Sequence, residues 1–222
     1  MCGRFTLTVN PADLQDAFSN YTFPTQFAPR FNIAPSQPVL AIPNNDKFKA
    51  DFFIWGLIPL WAKDPSIGNR LINARAETLA EKPSFRGSYK HKRCLVLADG
   101  YYEWQATGVK KPKVPYFIHM QDRQPFAIAG LWDTWEGPDG SSLQTCTLIT
   151  TAPNELMEPI HDRMPAILHP RDYAKWLDPA PQTPERLQAL LKPFPAESMA
   201  AHPVSTLVNK PENDSPELVV PA

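Results

Sequence analysis

The sequence predicts an α+β chain in which short strands outnumber a few short helices. Three observations predict it. Apolar runs rich in Val, Ile, Phe, Tyr and Trp recur from end to end, each bounded by turn residues. Helical periodicity is confined to brief segments near residues 10–18, 153–158, 170–177 and 184–191. Proline is abundant, with 26 residues in 222, and glycine is scarce, with 9. Prolines spread without a repeat make rigid turns between short elements, not a low-complexity linker.

Taken in order, Cys2 to Val9 reads as a strand. Asn10 caps a short helix with Pro11 in its first turn and Leu14, Ala17 and Phe18 on one face. Residues 20–37 read as a proline-rich loop, and strands follow near 38–42 and 48–54. The stretch Trp55-Gly56-Leu57-Ile58-Pro59-Leu60-Trp61 is too broken for a regular element. Trp55 belongs to the core; Trp61 precedes a polar stretch and is either core or a stacking surface. Asn73 has the residue type of a helix cap. Residues 93–98 form a strand, Asp99-Gly100 a turn, and Tyr101 to Trp104 an extended segment. After a lysine-bearing turn, 115–120 and 126–135 read as the two strands of a hairpin, and 143–151 as a further strand. One helical turn at 153–158 precedes the loop Ile160-His161-Asp162-Arg163-Met164-Pro165. Helices at 170–177 and 184–191 lead to a last strand region from Ala201.

Length and a 43% hydrophobic content support one domain, residues 1–209, followed by an acidic, proline-rich tail at 210–222. In that tail Leu218 to Val220 are able to dock as an edge strand. The net charge of -1 argues against a wholly basic nucleic-acid surface or a membrane-binding one. No signal-peptide pattern or apolar stretch of membrane length is present, which predicts a soluble cytoplasmic protein. The cysteines Cys2, Cys94 and Cys146 are odd in number and widely spaced, so neither a disulfide framework nor a metal site is expected, and no cofactor is. Cys94 and Cys146 lie in apolar runs and read as buried strand residues.

The near-zero net charge hides a local one. Residues 70–93 carry seven basic side chains against two acidic ones, with Phe85 and Tyr89 interleaved. Basic groups that meet phosphates beside aromatics that stack on bases make a single-strand platform. The bland alternative is a solvated basic face. Four other residues carry candidate chemistry. Cys2 would unite an α-amine and a thiol if Met1 were removed; their ordinary pKa values are about 7.7–8.0 and about 8.5. An amine condenses with an aldehyde to a Schiff base, and a neighbouring thiol closes that imine into a thiazolidine. Glu103, between aromatics, either faces water or is a desolvated carboxyl suited to proton transfer. His161 is able to shuttle protons near neutral pH, and Asn73 to aim its amide into a site. Spacing alone does not bring these four together.

The chain resembles the SRAP family, the SOS response-associated peptidases or abasic-site processing proteins. The resemblance rests on Met-Cys-Gly-Arg-Phe at 1–5, Arg-Phe-Asn-Ile-Ala-Pro at 30–35 and Trp-Gly-Leu-Ile-Pro with Trp61. It continues through Asn-Ala-Arg-Ala-Glu-Thr at 73–78, Arg-Cys-Leu-Val-Leu-Ala-Asp-Gly-Tyr-Tyr-Glu-Trp at 93–104 and Ala-Gly-Leu-Trp at 129–132. Thr-Thr at 150–151, Ile-His-Asp-Arg-Met-Pro at 160–165 and His-Pro-Val-Ser at 202–205 complete it. It implies an α+β fold whose mainly antiparallel sheet curls into a barrel-like core with short peripheral helices. It also implies a monomer that binds single-stranded DNA at abasic sites, nucleoid-associated in a bacterium. There the Cys2 amine would attack the ring-opened sugar and the thiol close a thiazolidine, with Asn73, Glu103 and His161 orienting and moving protons. Arg4, Asn32, Trp61, Arg75, Arg86, Thr150 and Arg163 are the implied DNA contacts. Schiff-base lyase activity and removal of the protein's own leading methionine are further implications. Two alternatives stay open: a Cys2-dependent peptidase and a non-covalent single-strand-binding module.

Overall fold

The strands predicted from apolar runs form, and hydrogen bonding sorts them into two sheets. The computed structural model describes residues 2–45, 48–108 and 112–222. In chain order the strands are β1 (Phe5–Leu7), β2 (Arg30–Ile33), β3 (Pro38–Pro43), β4 (Asp51–Trp55), β5 (Asn73–Arg75), β6 (Arg93–Ala98) and β7 (Gly100–Gln105). They continue with β8 (Val114–Met120), β9 (Phe126–Glu136), β10 (Ser142–Thr151), β11 (Met164–Pro165), β12 (Ile167–Leu168) and β13 (Met199–Pro203). Four short α-helices lie between them: α1 (Pro11–Ala17), α2 (Arg86–His91), α3 (Tyr173–Leu177) and α4 (Pro184–Gln188).

One sheet runs β13-β8-β7-β1-β2, every neighbour antiparallel. The other contains β10-β4-β3-β6-β9, and β9 pairs back onto β10. That last pairing closes five strands into a barrel and removes the open edges a sheet would otherwise expose. Within the ring only β10–β4 is parallel. The barrel strands read as nearly continuous apolar runs because they are covered on both sides; all six residues of β6 are buried. Asn10 caps α1, accepting from Ala12 N and Asp13 N as its residue type predicts.

Several expectations change. Residues 115–120 and 126–135 are not a hairpin: β8 pairs with β7 and β13, whereas β9 pairs with β6, β10 and β12. Alternation defines a strand but not its partner, and the turn at Gln121–Pro125, with Arg123 at φ 60°, passes the chain from one sheet to the other. Asn73 opens a strand, not a helix. Residues 30–33, expected in a loop, form β2. The expected helical turn at 153–158 exists as hydrogen-bonded turns, with Asn154 O accepting from Met157 N and Glu158 N. In the tail, Pro216–Val219 is a 3-10 turn with Leu218 buried; only the isolated Val204–Pro221 bridge realises edge pairing. Pro216 starts that turn because its fixed φ suits a helical first residue. The lysine-bearing turn before β8 includes residues 109–111, which, like Met1, lie outside the described residues.

The basic run at 70–93 also divides. Arg93 is fully buried and gives its guanidinium to the carbonyls of Tyr89, Lys90, Trp176 and Asp178, tying α2 and α3 to the barrel. Lys92 pairs with Asp133 at 2.6 Å. Arg93→Met removes the donors for four carbonyls. It should lower unfolding free energy by about 3–5 kcal/mol, read as a lower midpoint in guanidinium chloride; an unchanged midpoint would contradict this role.

Candidate active site at the chain N-terminus

Cys2 reaches the middle of the protein because the strand after it is clamped on both sides. β1 lies between β2 and β7. At its far end Asp99 accepts from Thr6 Oγ1 at 2.5 Å, Thr8 N at 2.5 Å, Thr8 Oγ1 at 2.5 Å and Val9 N at 3.2 Å. Hydrogen bonds to a charged acceptor are worth about 1.5–3 kcal/mol each, so this one carboxylate locks the register of the N-terminal segment. At the near end Tyr102 N donates to Arg4 O at 3.0 Å. The Cys2 thiol meets the same carbonyl at 3.9 Å.

From the other sheet, Asn73 Nδ2 donates to Cys2 O at 2.7 Å. Asn73 holds that position because β5 pairs in parallel with β10, Leu148 beside Asn73 and Thr150 beside Arg75. The amide therefore bridges the two sheets at the N-terminus. Its Oδ1 is buried without a partner among the described residues, which leaves one acceptor unused at the site.

Glu103 faces inward. Successive side chains of β7 alternate: Tyr102 belongs to a small cluster with Phe117, Val208 and Leu218, and Trp104 packs against it, while Tyr101 joins the main core with Cys2 and Phe5. Glu103, two residues beyond Tyr101, is only 1% exposed. Burial pushes its carboxyl up to about 7, where it takes and releases protons near neutrality. His161 stands beside it, Nε2 to Oε2 3.8 Å, too long for a closed hydrogen bond but close enough for coupling. His161 Nδ1 accepts from Arg163 N at 3.1 Å. A neutral ring therefore carries its hydrogen on Nε2, towards Glu103. Asp162 Oδ1 lies 3.0 Å from Nδ1 and would receive a proton gained there. Burial lowers the His161 pKa and raises that of the fully buried Cys2 thiol, so both groups favour their neutral forms.

The expected DNA contacts separate into three groups. Trp61 is 60% exposed, and Arg75 and Arg86 are exposed with it. Trp61 walls two surface clefts, one with Pro83 and Arg86 and one with Lys63, Ile67 and Arg70. Arg163 reaches the surface but is held: it forks onto Glu77 at 2.7 and 3.0 Å and donates to Thr150 O at 2.6 Å. Arg4 donates to Asn32 Oδ1 at 3.1 Å and to Val208 O at 2.8 Å. Asn32 and Thr150 are 0% exposed. Asn32 spends its amide on the carbonyls of Val208, Lys210 and Asn213 and so fastens the tail; it does not face solvent. Glu77 was not singled out by sequence, because its partner lies 86 residues away and no spacing signals the pair. A cleft of about 540 Å³ beside Tyr21, Ile42 and Phe48 contains none of these residues. No helix among the described residues is long and apolar enough to cross a membrane.

A family model described as SOS response associated peptidase (SRAP) matches residues 1–211. The abasic site processing protein YoqW of Bacillus subtilis is 49% identical over 99% of both chains. The abasic site processing protein HMCES of Gallus gallus is 36% identical, the match covering all of this chain and 78% of that one. A crystal structure of a Bacteroides thetaiotaomicron protein superposes over the full length of both chains with a TM-score of 0.89 at 30% identity.

The buried carboxyl makes stability depend on pH. Glu103 binds its proton more tightly folded, at about 7, than at the ordinary value of 4.5. Stability should therefore be undiminished below about pH 4.5, fall as pH rises towards 7, and level off above it, the loss being on the order of 3 kcal/mol. Glu103→Gln should flatten that fall, as read from denaturation midpoints between pH 4.5 and 8. An equal slope in both proteins would remove the buried acid from the account.

Proposed function

Because this chain belongs to the SOS response associated peptidase family, we propose that it captures abasic sites in single-stranded DNA as a covalent adduct of Cys2. The observation that carries this reading is the meeting of an N-terminal cysteine with Asn73, Glu103 and a histidine from distant parts of the chain. Relatives across nearly the whole length are named abasic site processing proteins.

The chemistry follows from the groups present. With Met1 removed, the Cys2 amine adds to the aldehyde carbon of the ring-opened sugar, and the carbinolamine loses water to an iminium. Glu103, titrating near 7, supplies the proton that makes hydroxide a leaving group and afterwards accepts one. Asn73 holds the Cys2 carbonyl and so aims the amine. Imidazole Nε2–H next to Glu103 completes a proton path to the surface, where Asp162 is exposed. Closure of the imine by the thiol gives a thiazolidine. Cleavage of the DNA strand through the same Schiff base is the competing outcome when closure is slow.

Single-stranded DNA would run over the exposed face that holds Trp61, Arg75 and Arg86. A base stacks on the indole, and the guanidinium groups take phosphates. Arg163 would exchange Glu77 for a phosphate oxygen. Trp61→Ala and Arg86→Glu should each weaken binding to an oligonucleotide about 5–50-fold, and Arg86→Glu should also flatten the salt dependence. Binding that ignores both changes would move the DNA path elsewhere.

The family's description as a peptidase favours one second reading, removal of Met1 by the protein itself. Intact-mass measurement alone and after mixing with abasic oligonucleotide tests both readings. The wild type should lack Met1 and gain the mass of the DNA minus water. Cys2→Ala should form no stable adduct; an equally stable adduct in that variant would refute capture by Cys2. Cys2→Ser should retain Met1 if the protein processes itself, and lose it if a separate aminopeptidase does, since serine is equally small.

A further inference from the structure

Tyr101 has a hydroxyl with no place in the account so far. The residue is 0% exposed, and its Oη has no hydrogen-bond partner among the described residues. Leaving a buried hydroxyl unpaired is unfavourable, and a phenyl ring would fill the same volume without it.

The backbone brings Tyr101 alongside the segment that carries Cys2. Tyr101 lies opposite Phe5 across the β1–β7 ladder, and its ring belongs to the same core cluster as Cys2 and Phe5. Arg4 O, which accepts from Tyr102 N at 3.0 Å, is also the atom beside the Cys2 thiol, at 3.9 Å. The Cys2 thiol and the Tyr102 N–H therefore converge on one carbonyl. Tyr101 and Glu103 share one face of β7. Burial holds the proton on this hydroxyl, so it stands as a donor.

We infer that Tyr101 is a further positioning residue of the site, its hydroxyl donating to the Cys2 sulfur during closure of the ring. The inference rests on the proposed capture by Cys2. In closure the sulfur lone pair forms the bond to the iminium carbon, and the π pair of that C=N bond returns to nitrogen. The thiol proton passes to the Glu103 carboxylate. Negative charge gathers on sulfur if the proton leaves first, in a cavity that burial makes hostile to a thiolate. A phenol proton aimed at sulfur offsets that cost and stays on oxygen throughout.

The test separates imine formation from closure. Wild type and Tyr101→Phe, both free of Met1, are mixed with an abasic oligonucleotide. The imine is trapped with borohydride at early times; the stable adduct is followed without it from pH 6 to 9. Tyr101→Phe should form trappable imine at the wild-type rate, close the ring about tenfold more slowly, and shift the pH profile of closure upward. Its melting temperature should be unchanged or higher, because an unpaired hydroxyl has been removed. Tyr102→Phe is the structural control: it loses a 2.8 Å bond to Phe31 O, and should melt lower yet close the ring normally. Equal closure rates and pH profiles in Tyr101→Phe and wild type would overturn the inference. So would a Tyr101→Phe defect matched by Tyr102→Phe. Failure of the wild type to form either imine or adduct would instead refute capture by Cys2.

Discussion

Everything at the site depends on where β1 is held. Three residues, Phe5–Leu7, are too few to form a stable strand alone, and they sit between β2 and β7 in the interior of a sheet. Asp99 fixes their far end through four hydrogen bonds, and the Arg4 carbonyl fixes their near end. The N-terminus of a chain is ordinarily the least ordered part of a fold. Here the segment from Cys2 onward is pinned, and Cys2 is fully buried.

The barrel and the smaller sheet have different parts in this. The barrel closes on itself and gives β10 a rigid backbone on which β5 presents Asn73. The smaller sheet carries Glu103 on β7 and, just ahead of the neighbouring β1, Cys2. His161 arrives on a turn set by Asn154 and Met157, whose carbonyl accepts from His161 N at 2.8 Å. The site is thus a seam between two rigid layers. Its hydrogen bonds cross that seam, as with Asn73 Nδ2 to Cys2 O.

Electrostatics at the seam are governed by desolvation. A carboxyl, an imidazole and a thiol all shift towards their neutral forms because water is excluded. Neutral groups do not repel an incoming anionic strand, and a carboxyl near 7 donates and accepts at the pH where an amine is partly free. On the surface the arrangement is reversed. Arg163 and Arg4 are engaged within the protein, on Glu77 and on tail carbonyls, while Trp61 and Arg86 stay open.

Much of this was legible in the residues. Apolar runs located most strands, because alternation and burial write directly into residue type. Asn10 and Pro11 marked α1 by local capping chemistry, which needs no distant partner. The isolated motif around Cys2 raised imine chemistry as soon as Met1 was considered removable. Partners were not legible. The hairpin assigned to 115–120 and 126–135 dissolved because strands choose neighbours through three-dimensional packing. Arg93 was counted in a basic face and proved to be a buried tie between helices, since charge alone does not reveal which carbonyls surround it. Asn32 turned inward to hold the tail for the same reason. By itself the sequence determined most of the longer strands, the capped helix α1 and which groups have reactive chemistry. Only the tertiary structure decided that Asn73 touches Cys2, that Glu103 faces the core beside His161, and that the Tyr101 hydroxyl is buried with no hydrogen-bond partner among the described residues. Those contacts join residues some 60 to 100 positions apart, and long-range packing, not local propensity, brings them together.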